Sequence, residues 1–287
     1  MNAKLADYSQ FLKVRLASLV VFSAVIGYLM AIGSFDFFTH IVKILMLSLA
    51  GFLVTGAANG INQIVEKDSD KLMDRTKNRP LPTSRMTVGE AWILVVFCGV
   101  VGLGILFWFN VLTGFLGLCS VVLYAFVYTP FKKINSIAVF IGAFPGALPV
   151  LIGYAAAANA ITFEAMLLFL VQFMWQFPHF WAIAWQHNDD YQKASIKLLP
   201  NEDLPTKKTA LQTLFYTFTL IPLCLSLTFF GFVGYVSAVV CTVVGLYFLY
   251  KAFVLYQKGD KPSARQLMFA SFWFLPLVQI INVVDKI

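Results

Sequence analysis

Polar side chains recur at helical spacing within an otherwise apolar stretch near residue 60. Asn59, Asn62, Glu66 and Asp70 are separated by three, four and four residues, and these steps place side chains on one face of a helix. The last three form a ladder about 12 Å tall. We expect this face to line a cavity, because exposing such groups to lipid costs several kcal/mol.

The ladder leads into a basic segment. Arg75, Lys77 and Arg79 follow it, and the guanidinium groups can bind phosphate oxygens in pairs. Carboxylates one or two turns apart suit Mg²⁺, which often takes further ligands from phosphate and water. The pattern predicts a Mg²⁺–phosphate site at Glu66 and Asp70. A solvated basic connector would also explain the cations, but it would not require helical register.

A second polar stripe runs through residues 172–190. The residues that share this face are Gln172, Trp175, His179, Ile183, Gln186 and Asp190. If this stripe meets the ladder across a shared cavity, Asp190 opposes the first two carboxylates, as a metal–diphosphate clamp requires. His179 is equally consistent with an interhelical hydrogen bond. We expect Trp175 to line the cavity, and Trp181 and Trp185 to pack outward.

Composition places these residues in a membrane. Of the 287 residues, 60% are hydrophobic and 12% are charged, whereas soluble proteins carry about 25% charged residues. The net charge of +7 indicates loop orientation in such a protein rather than nucleic-acid binding. The expected surroundings are therefore a lipid bilayer, with no nucleic-acid partner.

Hydropathy predicts nine spans of about 20 residues each. They cover residues 14–33, 41–65, 88–109, 112–129, 137–157, 163–186, 209–230, 234–256 and 265–284. The fold class that follows is all-α: a polytopic bundle of nine transmembrane helices around a central cavity that opens to the cytoplasmic side. We expect one transmembrane domain over residues 1–287.

Lysine and arginine cluster in every second connection. The alternate connections, 34–40, 110–111, 158–162 and 231–233, contain neither residue. This alternation predicts a cytoplasmic N-terminus and an outer C-terminus. A multi-pass protein of the bacterial plasma (inner) membrane is the expected class.

The ladder with its basic tail also resembles a known signature. Asn62-Gln-Ile-Val-Glu66-Lys-Asp68-Ser-Asp70, followed by Arg75-Thr-Lys-Asn-Arg79-Pro, resembles the UbiA superfamily of intramembrane prenyltransferases. The segments Tyr128-Thr-Pro-Phe-Lys132, Pro178-His179-Phe-Trp and Asp189-Asp190-Tyr191 resemble the branch that farnesylates heme. The chain departs from the superfamily pattern at Glu66, where Asp is usual, and its second motif is not an evenly spaced Asp pair.

The resemblance implies transfer of a farnesyl group from farnesyl diphosphate to a vinyl group of heme B, which is a substrate rather than a cofactor. It implies Mg²⁺ as cofactor, held by Glu66, Asp70 and Asp190. The implied catalytic residues are Asn62, Glu66, Asp70, Arg75 and Asp190. The implied diphosphate-binding residues are Arg75, Lys77, Arg79, Lys132 and Lys193. The implied heme contacts are His179, Trp175 and Arg15. Other heme-biosynthesis or terminal-oxidase assembly proteins are the expected partners.

Two alternatives stay open at this point. The acceptor could be an aromatic ring, such as a quinone or chlorophyll precursor. The chain could instead be a secondary transporter that uses its midplane polar residues as an ion path. The near absence of polar residues on the outer side disfavours transport.

Overall fold

The computed structural model describes residues 3–33, 36–201 and 204–287, and these ranges contain helices but no strand. In chain order the elements are α1 (Ala3–Leu12), α2 (Val14–Ala31), α3 (Phe37–Asp70), α4 (Val88–Phe109), α5 (Val111–Val122), a π-helix (Leu123–Tyr128), α6 (Thr129–Phe131), α7 (Ala138–Ala158), α8 (Phe163–Gln186), α9 (Asn188–Lys193), α10 (Lys207–Phe229), α11 (Tyr235–Lys258) and α12 (Lys261–Val284).

Nine helical stretches in the described ranges are long and apolar enough to cross a membrane, which confirms the predicted number. The fourth of them joins α5, the π-helix and α6 over Val111–Phe131. The second continues through Asp70 rather than ending near residue 65, so the whole acidic ladder lies on regular helix.

The spans pack in a closed order. Each one contacts the next along the chain, and α12 returns to contact both α8 and α2. A second closure joins α2 to α7. The bundle therefore consists of two linked halves, α2 to α7 and α8 to α12, which meet where α7 packs against α8 and where α12 packs against α2.

Helix α1 was not predicted from the sequence. It lies before the first span and packs against α3, where the Gln63 Nε2 donates a hydrogen bond to the Phe11 carbonyl oxygen. Lys13 then adopts a left-handed conformation with φ 51°, which turns the chain from α1 into α2. The end of the bundle that carries α1, the loop 71–87 and α9 is called the basic end below.

Two glycines allow α2 and α7 to approach closely. A Cβ atom on Gly153 would lie 1.7 Å from the Ala24 carbonyl oxygen, and one on Gly27 would lie 2.0 Å from the Val150 carbonyl oxygen. Small residues at such contacts are typical of membrane helix packing, because they bring the backbones together.

We therefore predict that Gly153→Ala destabilises the protein. Separating α2 from α7 should cost about 1–3 kcal/mol, the usual range for overpacking, and should lower the unfolding temperature measured by tryptophan fluorescence in detergent. Gly104→Ala is the matched control, since nothing lies within 4 Å of its added Cβ. Equal unfolding temperatures for the two variants would contradict the close contact.

Candidate active site

The acidic ladder on α3 faces the protein interior as its spacing predicts. Asn59, Asn62, Glu66 and Asp70 are all buried, whereas Val65 is exposed on the other side of the helix. Glu66 and Asp70 are 2% and 0% exposed. Each carboxylate therefore needs a polar partner inside the protein, because an unpaired buried charge is strongly destabilising.

Lys132 is the partner of Glu66. Its Nζ lies 2.6 Å from the Glu66 Oε1, while the Asn62 Nδ2 donates to the Glu66 Oε2 at 3.1 Å. The same Asn62 amide reaches the Thr129 Oγ1 at 3.1 Å. Burial lowers the pKa of the Lys132 ammonium, and the Glu66 carboxylate opposes that shift.

The π-helix presents Lys132 to the interior. Pro130 lacks a backbone N–H and its ring would clash with the carbonyl of residue 126 in a regular helix. The turn of the π-helix is wider than that of an α-helix and accommodates this carbonyl. Its hydrogen bond runs from the Thr129 N–H to the Tyr124 carbonyl oxygen, five residues earlier. The chain therefore stays helical past Pro130, and Lys132 follows Tyr128 by one turn.

Arg79 is the partner of Asp70. Its Nη1 donates to the Asp70 Oδ2 at 2.7 Å, and the Thr76 Oγ1 donates to the Asp70 carbonyl oxygen at 2.8 Å. The loop after α3 thus folds back over the end of its own helix. The Asp70 Oδ1 is buried and accepts no hydrogen bond from any described residue. A buried anionic oxygen without a donor suits a hard cation such as Mg²⁺.

Asp190 lies at the basic end but binds backbone rather than joining the ladder. Its two carboxylate oxygens accept hydrogen bonds from the Asp74 and Arg75 N–H groups at 3.3 and 3.2 Å. Lys193 Nζ bridges the Asp190 Oδ1 and the Asp74 Oδ2 at 3.2 and 2.8 Å. Although burial raises it, the pKa of the Asp190 carboxyl is lowered overall by the Asp74 N–H, by Lys193 and by the Arg75 N–H.

The expected three-carboxylate metal site is therefore not assembled in this structure. In the described ranges, no group of three or more His, Cys, Asp or Glu side chains is arranged to hold a metal. Glu66 and Asp70 share the face of α3, whereas both oxygens of Asp190 are engaged by the loop that follows it.

The predicted basic residues divide into two groups. Arg79 and Lys132 reach the buried carboxylates. Arg75 is exposed, donates to the Tyr191 hydroxyl at 3.3 Å and lies 5.7 Å above that ring. Lys77 is exposed and pairs with Asp74 at 2.6 Å. Arg75, Lys77 and Lys193 thus form the rim of the site.

His179 and Trp175 lie deeper in the bundle. The His179 Nδ1 shares a hydrogen bond with the Ser271 Oγ at 2.7 Å, and the Trp175 Nε1 donates to the Ser271 carbonyl oxygen at 2.9 Å. The two rings stack with centroids 4.5 Å apart. The interhelical hydrogen bond is thus present, while no described residue bonds to the His179 Nε2.

The prediction that Trp181 and Trp185 pack outward is wrong, because both are buried. Trp181 packs edge-on against Tyr216 of α10, with ring centroids 5.0 Å apart. Helical spacing located the polar face of α8 but gave no sign that a neighbouring helix covers the opposite face. The two tryptophans therefore belong to the core and do not anchor the protein at the membrane surface.

Lys13 is a half-buried residue whose inward contact sequence reasoning missed. Arg15, the predicted contact, is exposed on α2, whereas the Lys13 Nζ donates to the buried Asn59 Oδ1 at 3.3 Å. Lys13 has a left-handed backbone conformation between α1 and α2, so helical spacing from Arg15 could not predict its direction.

Comparison with known proteins identifies the family. The model of the UbiA prenyltransferase family matches residues 20–275. The chain belongs to the UbiA prenyltransferase family. It is 43% identical over 285 residues to the protoheme IX farnesyltransferase of Flavobacterium psychrophilum, covering 98% of this chain and 94% of that protein. It is 43% identical over 291 residues to the protein of the same name from Cytophaga hutchinsonii, covering 100% of both chains.

Solved UbiA-type structures share the fold. A digeranylgeranylglyceryl phosphate synthase structure superposes with a TM-score of 0.79 at 19% identity, over 98% of both chains. A UbiA homologue from Archaeoglobus fulgidus bound to GPP and Mg²⁺ gives a TM-score of 0.68 at 14% identity, over 96% of this chain and 99% of that one. At these identities the likeness establishes the fold of this UbiA-family chain.

The contacts of Asp190 predict a local effect on the loop it holds. Asp190→Ala should speed hydrogen exchange at the Asp74 and Arg75 amides about tenfold or more, since hydrogen bonds to charged groups contribute roughly 1.5–3 kcal/mol. Asp189→Ala is the control, because that carboxylate is exposed and pairs with Lys261. Unchanged exchange in Asp190→Ala, measured by mass spectrometry, would contradict the observed backbone contacts.

Proposed function

We propose that this protein transfers a farnesyl group from farnesyl diphosphate to a vinyl group of heme B, giving heme O. The observation that carries the proposal is 43% identity, over nearly the full length of both chains, to proteins named protoheme IX farnesyltransferase. The buried pairs Glu66–Lys132 and Asp70–Arg79 support it, because they supply the charges that diphosphate departure requires.

Glu66 and Asp70 would hold Mg²⁺, with Asn62 orienting Glu66. The buried Asp70 Oδ1, which has no hydrogen-bond donor among the described residues, supports this assignment. Asp190 is proposed as a third ligand, although it would first have to release the Asp74 and Arg75 amides. When bound, Mg²⁺ would neutralise charge on the diphosphate oxygens.

Lys132 and Arg79 would bind the leaving diphosphate from within, and Arg75, Lys77 and Lys193 would bind it from the rim. The bond between farnesyl C1 and the diphosphate oxygen breaks, and its electron pair leaves with the diphosphate. The heme vinyl group forms a bond to C1, and water adds to the resulting cation and releases a proton. Fixed cations stabilise the charge that develops on the leaving group.

Aromatic rings beside these cations would shield the allylic cation. Tyr124 and Tyr128 stack with centroids 5.4 Å apart, and the Lys132 Nζ lies 5.5 Å from the centre of the Tyr128 ring. Ring faces attract cations, and the attraction is stronger where water is excluded. The same surroundings would keep stray water away from C1.

His179, Trp175 and Arg15 are the proposed heme contacts. The His179–Trp175 stack offers a flat surface suited to a porphyrin, while exposed Arg15 could meet heme only at the bundle surface. The basic end would face the cytoplasm of a bacterial plasma membrane, following the alternation of basic loops. Heme-biosynthesis or terminal-oxidase assembly proteins would be its partners there.

The proposed reaction is tested by mass spectrometry of hemes after the purified protein is incubated with heme B, farnesyl diphosphate and Mg²⁺. We expect a mass gain of farnesyl plus water that is lost on adding EDTA and falls at least a hundredfold in Asp70→Asn. Asp68→Asn is the control, since Asp68 is exposed and pairs with Lys71.

Other outcomes of this assay would reverse the assignment. Prenylated hydroxybenzoate without a heme product would indicate an aromatic acceptor. Substrate flux in proteoliposomes without any covalent product would indicate a transporter. Equal heme O yields from Asp70→Asn and wild type would remove the acidic ladder from the mechanism.

Neighbouring lysines allow a matched test of leaving-group stabilisation. Lys132→Met should lower kcat about 10²–10³-fold, the typical loss when a charge-stabilising donor is removed. Lys133→Met should leave kcat nearly unchanged, because Lys133 is exposed and bonds only to the Ser69 Oγ among the described residues. Similar losses in both variants would contradict the role of Lys132. Lys132→Arg retains the positive charge beside Glu66 and should therefore fold. It shows whether the loss of activity in Lys132→Met comes from the missing charge or from misfolding.

A further inference from the structure

A second polar group lies deeper in the bundle than the acidic ladder's carboxylates. The Asn59 Oδ1 accepts hydrogen bonds from the Lys13 Nζ at 3.3 Å and from the Tyr124 hydroxyl at 3.4 Å. Asn59 precedes Glu66 by seven residues, so it lies about 10 Å further along α3 toward the middle of the bilayer. Three elements converge here: the α1–α2 turn, α3 and the π-helix.

The polar group formed by Lys13, Asn59 and Tyr124 has more hydrogen-bond donors than acceptors. Both contacts point at the Asn59 Oδ1, which leaves the amide Nδ2 facing elsewhere, and that nitrogen is buried with no partner among the described residues. Asn59 is 1% exposed. An unpaired buried donor is destabilising, and an acceptor oxygen from a bound molecule would satisfy it.

The Lys13 ammonium group also has no carboxylate in direct contact among the described residues. No carboxylate oxygen of a described residue lies within 4.0 Å of its Nζ. Burial, together with the nearby Arg79 and Lys132 cations, lowers the pKa of the Lys13 ammonium to about 7, while Glu66 and Asp70 oppose that shift. The left-handed backbone conformation of Lys13 directs this side chain toward Asn59. A bound anion would stabilise the charged ammonium.

The diphosphate is a poor match for this position. Arg79 and Lys132 already pair with the carboxylates that would hold the metal, and Glu66 lies about 10 Å from Asn59 along the helix axis. The acceptor, by contrast, needs a binding position of its own next to the allylic carbon. Heme B carries two propionate carboxylates, which need cationic or amide partners if they enter the bundle.

We infer that Lys13, Asn59 and Tyr124 form a subsite for a carboxylate of the acceptor. The inference rests on the proposed function and adds a residue that orients heme B. The Lys13 ammonium and the Asn59 amide would each donate to the carboxylate. Lys13 would thus do, from inside the bundle, what its exposed neighbour Arg15 cannot do from α2.

The test is a kinetic comparison of Lys13→Met with wild type, using heme B and its dimethyl ester as acceptors. With heme B, Lys13→Met should raise the KM for heme about tenfold or more, while the KM for farnesyl diphosphate stays within about twofold. With the dimethyl ester, which has no carboxylate charge, wild type and Lys13→Met should have similar KM values. Lys4→Met is the control, since Lys4 pairs with Glu90 on α4.

Two outcomes would overturn the inference. An increase in the KM for farnesyl diphosphate alone would assign Lys13 to the diphosphate. The same increase in KM for heme B and for its ester would give Lys13 a structural role. Asn59→Leu, which removes the amide without touching Lys13, provides a second variant if Lys13→Met unfolds. Failure of the proposed function is distinguishable, because wild type would then form no heme O at all.

Discussion

Two carboxylates buried within a membrane bundle constrain the architecture around them. An ionised carboxylate removed from water costs several kcal/mol unless a cation and hydrogen bonds replace its solvation. Glu66 and Asp70 meet this requirement through Lys132 and Arg79. Neither cation belongs to α3 itself, so two other parts of the chain must fold against that helix before the bundle is electrostatically balanced.

The irregular elements of the fold follow from this need. The loop after α3 turns back on itself, with Thr76 bonded to the Asp70 carbonyl oxygen, and thereby returns Arg79 to the helix that it left. The π-helix carries the chain past Pro130 and delivers Lys132. Asp190, which lies on α9, then holds this loop by accepting hydrogen bonds from two of its backbone N–H groups.

The same pairs explain how the site could bind a diphosphate. Cations that neutralise Glu66 and Asp70 are also the cations that a leaving diphosphate needs. In the proposed reaction Glu66 and Asp70 would hold the metal, and Lys132 and Arg79 would then be free to bind phosphate. Net charge in the interior would then change little as substrate enters, which avoids leaving a charge unpaired in a medium of low dielectric.

Much of this architecture was accessible from sequence. Nine apolar stretches, and the register of Asn62, Glu66 and Asp70, follow from periodicity, because lipid outside and polar groups inside leave few alternatives. The predictions that were wrong or incomplete concern residues whose positions depend on contacts with other helices and loops. Spacing could place Asp190 on a polar face but could not show that backbone amides would occupy it. The inward direction of the Lys13 side chain depends on a left-handed backbone conformation, which the sequence pattern did not predict. The burial of Trp181 likewise depends on where α10 packs.

We propose that Glu66 and Asp70 together hold the divalent ion that binds the diphosphate. The most direct measurement is an experimental structure of the protein with Mn²⁺ in place of Mg²⁺ and an unreactive farnesyl diphosphate analogue, with the metal located by anomalous scattering. We predict a metal peak within coordination distance, about 2.1 Å for Mg²⁺, of oxygens from both carboxylates, with the Lys132 and Arg79 side chains turned to phosphate. A metal peak away from both side chains, with the two ion pairs intact beside bound diphosphate, would contradict it.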